Sequence, residues 1–309
     1  MKQNTNLKNK KNRLNPYSVT GFTDAEGTFS CYVKEGKKFT FEFKVVQKSY
    51  SSGVLYDILS YFGVGTVVID NRGSDTLKYH VTSLESIVNI IIPHFKNYPC
   101  LTSKDLNFRD WAQIAIWVHN KEHLTEIGLA KIMALLNNMN TKRSFEDKFL
   151  SCNLNLNRDP FGITNTPLSP FWISSFVDGE GCFYAYITAL EKLDNSKLAC
   201  DLSLEIGQNS HDVSILLAFK NYFQGGYIKP KYDFTSLEQC LNSKSVNRYI
   251  LRDTHLIINF FEMYPLMTRK KLDFLDWIQI VKLKEQNGLT KENLKLMWDI
   301  KNRMNSRRE

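Results

Sequence analysis

"GFTDAEGTFS" (residues 21–30) and "SFVDGEGCFY" (residues 175–184) repeat one pattern: an Asp, a small residue, a Glu, a Gly and then an aromatic-rich run. Two copies in one chain call for a search for longer repeats before any element is assigned, because a missed repeat misassigns the whole fold. Extended outward, "NPYSVTGFTDAEGTF" answers "LSPFWISSFVDGEGCF", with Glu26 and Glu180 separated by 154 residues. A second pair, "YPCLTSKDLNFRDWAQI" (98–114) and "YPLMTRKKLDFLDWIQI" (264–280), is offset by 166. A third, "HLTEIGLAKIMALLNNMN" against "GLTKENLKLMWDIKNRMN", is offset by 165, and "VVQKS" with "EIGQNS" and "FGVGTV" with "FQGGYI" fall between. The order is the same in both halves, so the chain is a tandem duplication. A basic leader (1–13), a first domain (14–152), a linker (153–167) with Asn- and Pro-bearing turn chemistry, and a second domain (168–309) are expected.

Within each half the period of the apolar residues changes. Pro16 opens a short helical stretch and Gly27 ends it. Alternation follows, with Phe29, Cys31 and Val33 on one side and Thr28, Ser30, Tyr32 and Lys34 on the other. "FTFEFKVVQ" continues it, with Phe39, Phe41, Phe43 and Val45 inward and Thr40, Glu42, Lys44 and Val46 outward. A helix over 51–62, strands over 65–70 and 76–82, and helices over 84–96, 102–119 and 125–139 complete the half. One face of each sheet is therefore apolar and covered by helices; the other is polar, basic and aromatic.

Of the 309 residues 43% are hydrophobic and 13% aromatic, the composition of a folded globule. A net charge of +8 and a pI near 9.0 suit a polyanionic partner, nucleic acid or an anionic membrane surface, as well as a merely solvated basic face. No apolar run reaches the length of a membrane span, and the six scattered cysteines form neither a C-x-x-C nor a Cys/His cluster, so reduced thiols are expected. Abundant Asn, Ile, Phe, Tyr and Lys point to an A+T-rich coding genome.

Glu26 and Glu180 each fall at the end of a helix, where the macrodipole is negative and a carboxylate calls for a nearby cation. If the two helices meet through Gly21 and Ala25 in one and Ser174, Ser175 and Gly179 in the other, both carboxylates arrive at one end of the interface. Two close carboxylates repel unless a cation compensates. Mg²⁺ favours such hard oxygen ligands, with phosphate oxygens completing the shell, and activates water. The competing reading, four solvated turn acids at Asp24, Glu26, Asp178 and Glu180, weakens when the same arrangement occurs twice.

These residues identify a resemblance: both stretches resemble the LAGLIDADG motif, and from about residue 14 onward the chain resembles the double-motif, single-chain LAGLIDADG homing endonucleases of organellar introns. The resemblance implies a mixed α/β (α+β) fold of two pseudo-symmetric αββαββα domains, with antiparallel saddle-shaped sheets in the DNA major groove and the motif helices at the domain interface. It implies a mitochondrial, intron-encoded monomer that hydrolyses both strands of a long non-palindromic double-stranded DNA with Mg²⁺, leaving short 3′ overhangs; Mn²⁺ or Ca²⁺ would also bind. Carried over by position, Glu26 and Glu180 are the metal-binding catalytic acids and the Ala25 and Gly179 carbonyls further ligands, with Asp24 and Asp178 as structural neighbours. Lys104 and Lys270, in "LTSK" and "MTRK", match the family's basic position near the active site, and Gln47 and Gln208, ending matched strands, would orient water. Ser175 stands where the motif usually has Gly and is small enough to keep the helices in contact. "NRYILRDTHLIINFFEMYP" is shorter than its counterpart "KYHVTSLESIVNIIIPHFKNYP", so the last strand and its helix are expected to depart from the first half.

On this reading the outward positions face DNA: Ser30, Tyr32, Lys34, Thr40, Glu42, Lys44, Thr66, Lys78 and His80 in the first half. In the second they are Tyr184, Tyr186, Thr188, Asp201, Ser203, Glu205, Lys229, Lys231, Arg248 and Arg252. Lys and Arg suit guanine edges or phosphates, Glu and Asp accept from cytosine, and Thr meets a thymine methyl. Because the two surfaces differ, the preferred site is non-palindromic, about 10 bp per half. Three alternatives remain open at this stage: an RNA maturase of the same fold that holds intron RNA, a DNA-binding protein without nuclease activity, and a glycosidase using paired carboxylates.

Overall fold

The computed structural model describes residues 14–34, 38–153, 168–188, 198–229 and 246–305. The expected leader, residues 154–167 of the expected linker and Lys231 lie outside the described residues.

The first half begins with helix α1 (Pro16–Glu26), started by Pro16 in its first turn and by the Asn15 side chain, which accepts from the Tyr17 amide. It runs directly into strand β1 (Gly27–Lys34), followed by β2 (Lys38–Lys48), helix α2 (Gly53–Phe62), β3 (Thr66–Asn71) and β4 (Thr76–Val81). The strands form one antiparallel sheet in the order β1-β2-β4-β3. Helical residues Leu84–Ser86 (α3) pass through a π turn, Ile87–Ile91, into α4 (Ile92–Asn97), and α5 (Lys104–His119), α6 (Glu126–Leu136) and α7 (Phe145–Asn153) complete the half. The second half repeats this with α8 (Pro170–Glu180), β5 (Gly181–Ile187), β6 (Cys200–Asn209), α9 (Val213–Phe223), β7 (Tyr227–Lys229) and β8 (Val246–Leu251) in a sheet ordered β5-β6-β8-β7. Helices α10 (Thr254–Met263), α11 (Lys270–Asn287) and α12 (Lys291–Lys301) follow.

Each sheet buries its inward face in a separate aromatic core, Phe29, Phe43, Phe95 and Trp111 in one half and Phe183, Phe219, Phe274 and Trp277 in the other. Matched residues of the repeats make matched bonds. Trp111 donates its indole N–H to the Ser30 carbonyl at 2.9 Å and Trp277 to the Tyr184 carbonyl at 3.0 Å. Asn140 and Asn305, both at φ 56°, close the third repeat in the left-handed region that Asn tolerates, and their amides donate to the Phe29 and Phe183 carbonyls at 3.1 and 3.2 Å.

The shortened second-half interval leaves strand and ladder intact: Leu204 to Asn209 pair in register with Leu251 to Val246. The difference falls in the helix. The first half uses stretches of 3, 5 and 6 residues including the π turn, the second a single 10-residue helix, so about one turn is missing. Both routes end at a Tyr of matching backbone conformation, Tyr98 at φ −130°, ψ 75° and Tyr264 at φ −126°, ψ 77°. Helix α7, which the periodicity does not reveal, packs against the short turn Ser210–Asp212 of the other half. Among the described residues no helix is long and apolar enough to cross a membrane.

Candidate active site

Helices α1 and α8 lie against each other along their length, and their small residues set the approach. A Cβ added to Gly21 would lie 2.5 Å from the Trp172 carbonyl oxygen, and one added to Gly179 would fall on the Ala25 Cβ closer than real Cβ contacts come. Ser175 fits opposite Gly21, fully buried. Each helix then turns straight into a strand at Gly27 or Gly181, both extended in backbone; glycine stands there because a Cβ would lie 2.7 or 2.9 Å from the Thr23 or Val177 carbonyl oxygen of the preceding turn. Glu26 and Glu180 therefore emerge side by side at one end of the helix pair.

Asp24 and Asp178 anchor that end. The Asp24 carboxylate accepts from the Leu101 and Thr102 amides, the Thr102 hydroxyl (2.6 Å) and the Trp172 indole N–H (2.8 Å). Asp178 accepts from the Met267 and Thr268 amides and the Thr268 hydroxyl. Burial pushes both carboxyls' pKa values up and these hydrogen bonds oppose it. Backbone and indole N–H groups can only donate, so each oxygen of Asp24 is held as an acceptor.

The bonds fix the start of the helices bearing Lys104 and Lys270. Lys104 Nζ donates to the Thr23 carbonyl at 2.8 Å and the Ala25 carbonyl at 3.4 Å. Lys270 Nζ donates to the carbonyls of Val177 (3.0 Å), Gly179 (3.2 Å) and Gly181. This is the positive partner that a carboxylate at a helix C-terminus requires. Burial lowers both ammonium pKa values, and the neighbouring carboxylates, Asp24 first for Lys104 and Asp178 first for Lys270, oppose it. Gln47, next to last in β2, lies beside the Glu26 carboxylate and acts to lower its pKa, and Gln208, next to last in β6, does the same for Glu180. The structure thus gathers Glu26, Glu180, Lys104, Lys270, Gln47 and Gln208 into one cluster.

The two glutamates differ in surroundings. Glu26 is half-buried and Glu180 exposed. Both carboxyls titrate above the usual value of 4.5, burial being the first cause in each; for Glu180 the charge of Glu26 adds to it, while both lysines oppose. A carboxyl raised by folding lends stability below its unfolded pKa, and that stability is lost as pH rises through the folded value. Glu26→Gln should lower the Glu180 pKa, read by NMR titration of carboxyl-¹³C-labelled glutamate in the metal-free protein; an unchanged or higher value would refute the coupling.

Do these residues fit a divalent cation? No group of three or more His, Cys, Asp and Glu side chains placed to hold one exists among the described residues. What the site does offer is two repelling carboxylates and hard carbonyl oxygens, a donor set suited to Mg²⁺ when phosphate oxygens and water supply the rest. The Ala25 and Gly179 carbonyls already accept lysine protons, so ligation through them uses their second lone pair. A separate cleft of about 1780 Å³ opens at the N-terminal end of the helix pair, lined by residues such as Pro16, Tyr98, Phe171 and Tyr264, and contains none of this cluster.

The outward sheet faces are less open than alternation suggests. Tyr32, Lys34, Thr66, Tyr184, Tyr186, Asp201, Lys229, Arg248 and Arg252 are exposed, and Thr40 is half-buried. Glu42 takes Lys78 at 2.8 Å and His80 at 3.0 Å, Lys44 and Lys78 each lie 3.7 Å from Asp70, Arg248 pairs with Glu205 and Arg252 with Asp201. Three expected contact residues are buried instead. Ser30, 5% exposed, donates to the Glu42 carbonyl on the paired strand. Thr188, 4% exposed, uses its hydroxyl to accept from the Ala199 amide at 2.7 Å and close the strand end. Ser203, also 4% exposed, donates to the Glu205 carboxylate at 3.4 Å. Short side chains occupied within the sheet cannot reach past their longer neighbours.

The sequence pattern of the LAGLIDADG endonucleases matches residues 19–115 and 173–281, one stretch in each half. The chain belongs to the LAGLIDADG endonuclease family. Among curated relatives, a protein of Neurospora crassa named probable intron-encoded endonuclease 3 is 31% identical over 283 residues, 87% of this chain and 50% of that protein. The chain thus spans about half the length of this relative. The LAGLIDADG homing endonuclease I-SmaMI, solved bound to cleaved DNA, superposes with a TM-score of 0.77 at 27% identity, covering 96% of this chain and 98% of that one. I-SmaMI bound to an uncleaved DNA target in the presence of calcium ions gives 0.76 at 27% identity, covering 94% and 99%. Two four-stranded antiparallel sheets with the motif helices between them are thus the LAGLIDADG fold in this chain.

Proposed function

We propose that this LAGLIDADG protein is a site-specific homing endonuclease that hydrolyses both strands of a long, non-palindromic double-stranded DNA, leaves short 3′ overhangs and promotes intron mobility. The observation that carries the reading is the pairing of Glu26 and Glu180 at the C-terminal ends of abutting helices, with a lysine and a glutamine beside each. The Mg²⁺ that this oxygen set fits would activate water and neutralise charge developing on the phosphate. Glu26 and Glu180 would hold it, with the Ala25 and Gly179 carbonyls as further ligands. Gln47 and Gln208 would orient site water, and the Lys104 and Lys270 ammonium charges would polarise that water or balance charge on the phosphate. Both half-sites belong to one chain, which supports action as a monomer. An intron-encoded relative and the A+T-rich composition support a mitochondrial origin.

The sheet faces read the duplex, with exposed Tyr184 (41%) and Tyr186 (48%) and the paired charges Lys44, Lys78, Arg248 and Arg252 meeting bases and phosphates. The test is incubation with a plasmid spanning the intronless insertion site of the host gene, with Mg²⁺ and with chelator. Linear product with short 3′ ends, formed only with the cation, is expected. Tight binding without cleavage in Mg²⁺ or Mn²⁺ would sink the nuclease reading and move attention to binding of the host intron RNA.

A further inference from the structure

Each lysine-bearing helix takes one acceptor from its own repeat: Thr102 Oγ1 accepts from the Lys104 amide at 3.3 Å and Thr268 Oγ1 from the Lys270 amide at 3.2 Å. Ser103 and Arg269 precede α5 and α11 without a side-chain cap bond to them. A further acceptor, at the amide of the residue before each helix, comes from the opposite half. Asp212, 5% exposed in the turn that follows β6, accepts from the Ser103 amide at 2.6 Å and the Ser103 hydroxyl at 2.9 Å. Its counterpart in the first repeat, Ser51, accepts from the Arg269 amide at 3.2 Å. Each turn begins directly after the strand whose end bears Gln208 or Gln47.

The two links are unequal. Asp212 brings a negative charge and two hydrogen bonds to the positive end of α5, whereas Ser51 brings one neutral acceptor to α11. His211 Nε2 lies 3.2 Å from Asp212, and the Arg269 guanidinium lies over the Tyr50 ring at 4.6 Å, so both turns are further tied in place.

We propose that Asp212 and Ser51 are positioning residues that act across the two halves: each fixes the lysine of the other half, and Asp212 does so more strongly. The end of a DNA-facing strand in one half thereby sets the reach of the ammonium group serving the other. Because the caps differ, the two strands of the target depend on them unequally.

This inference rests on the nuclease reading, and single-turnover cleavage of supercoiled plasmid with each strand end-labelled tests it. With Asp212→Ala, one strand is expected to be cut roughly 10- to 100-fold more slowly, the other within about threefold of wild type, and nicked circle accumulates. DNA affinity should stay within about threefold, since Asp212 lies beneath the surface. Asp212→Ser, which copies the first half's solution, should restore most of the rate and serves if the Ala variant fails to fold. Equal slowing of both strands, slowing matched by lost affinity, or unchanged kinetics would overturn the proposal. Hydrogen exchange at the Ser103 amide gives a readout apart from cleavage: it should be slow in the wild type and faster in Asp212→Ser, and fast exchange in the wild type would overturn the cap. A wild-type protein that cuts neither strand would sink the nuclease reading, while Ser103 exchange still reports on the cap.

Discussion

Glu26→Gln and Glu180→Gln are each expected to lower double-strand cleavage by about a thousandfold or more while DNA binding persists. Glutamine keeps the size of the side chain, but it removes the charge that would hold a cation and leaves the nearby lysines under-compensated. Affinity should hold or rise, because a negative group near the DNA phosphates is lost. Cleavage under single-turnover conditions, beside a binding isotherm in Ca²⁺, separates the two effects. A variant cutting within tenfold of wild type would remove that glutamate from the chemistry. A variant that binds no DNA would show that the acid serves the interface instead.

Gly179→Val should have the second large effect, through packing and not chemistry. Its Cβ would fall on the Ala25 Cβ and 3.3 Å from Glu26 Cγ, where α1 and α8 pack together. The Ala25 methyl is fixed to its backbone and cannot rotate away, so the helices must part. We expect a loss of about 3 kcal/mol or more in denaturant unfolding and roughly a hundredfold loss of cleavage as the two glutamates separate. Gly53→Ala is the control: nothing lies within 4 Å of the added Cβ, at the start of α2, and stability should change by less than about 1 kcal/mol. A Gly179→Val protein as stable as the control would refute the tight crossing.

Much of the site was legible because it was written twice. Glu26 with Glu180 and Lys104 with Lys270 are matched by position in the repeats, and Gln47 with Gln208 by the ends of matched strands; the fold brings all six together. Asn140 and Asn305 were equally visible at the end of "NNMN" and "NRMN", but nothing in the string says that both adopt a left-handed backbone. Helix α7 escaped because "FEDKFLSCN" is short and its neighbour, the Ser210–Asp212 turn, comes from the other half. Ser30, Thr188 and Ser203 show where alternation stops being informative: it gives the side of the sheet, whereas burial depends on the partners across the ladder.

The sequence by itself determined the duplication, the order of elements apart from α7, the two sides of each sheet and the matched positions of the acids and lysines, since these follow from local periodicity and from repetition. Tertiary structure alone decided that α1 and α8 touch closely enough for Glu26 to raise the pKa of Glu180. It also decided that Asp212 and Ser51 bond the residues leading into the helices of opposite halves, and that Glu42 with Lys78 and Asp201 with Arg252 pair on the sheet faces. These depend on groups more than a hundred residues apart in several cases, and a hydrogen bond or a Coulomb interaction depends on distance in space, not on separation along the chain.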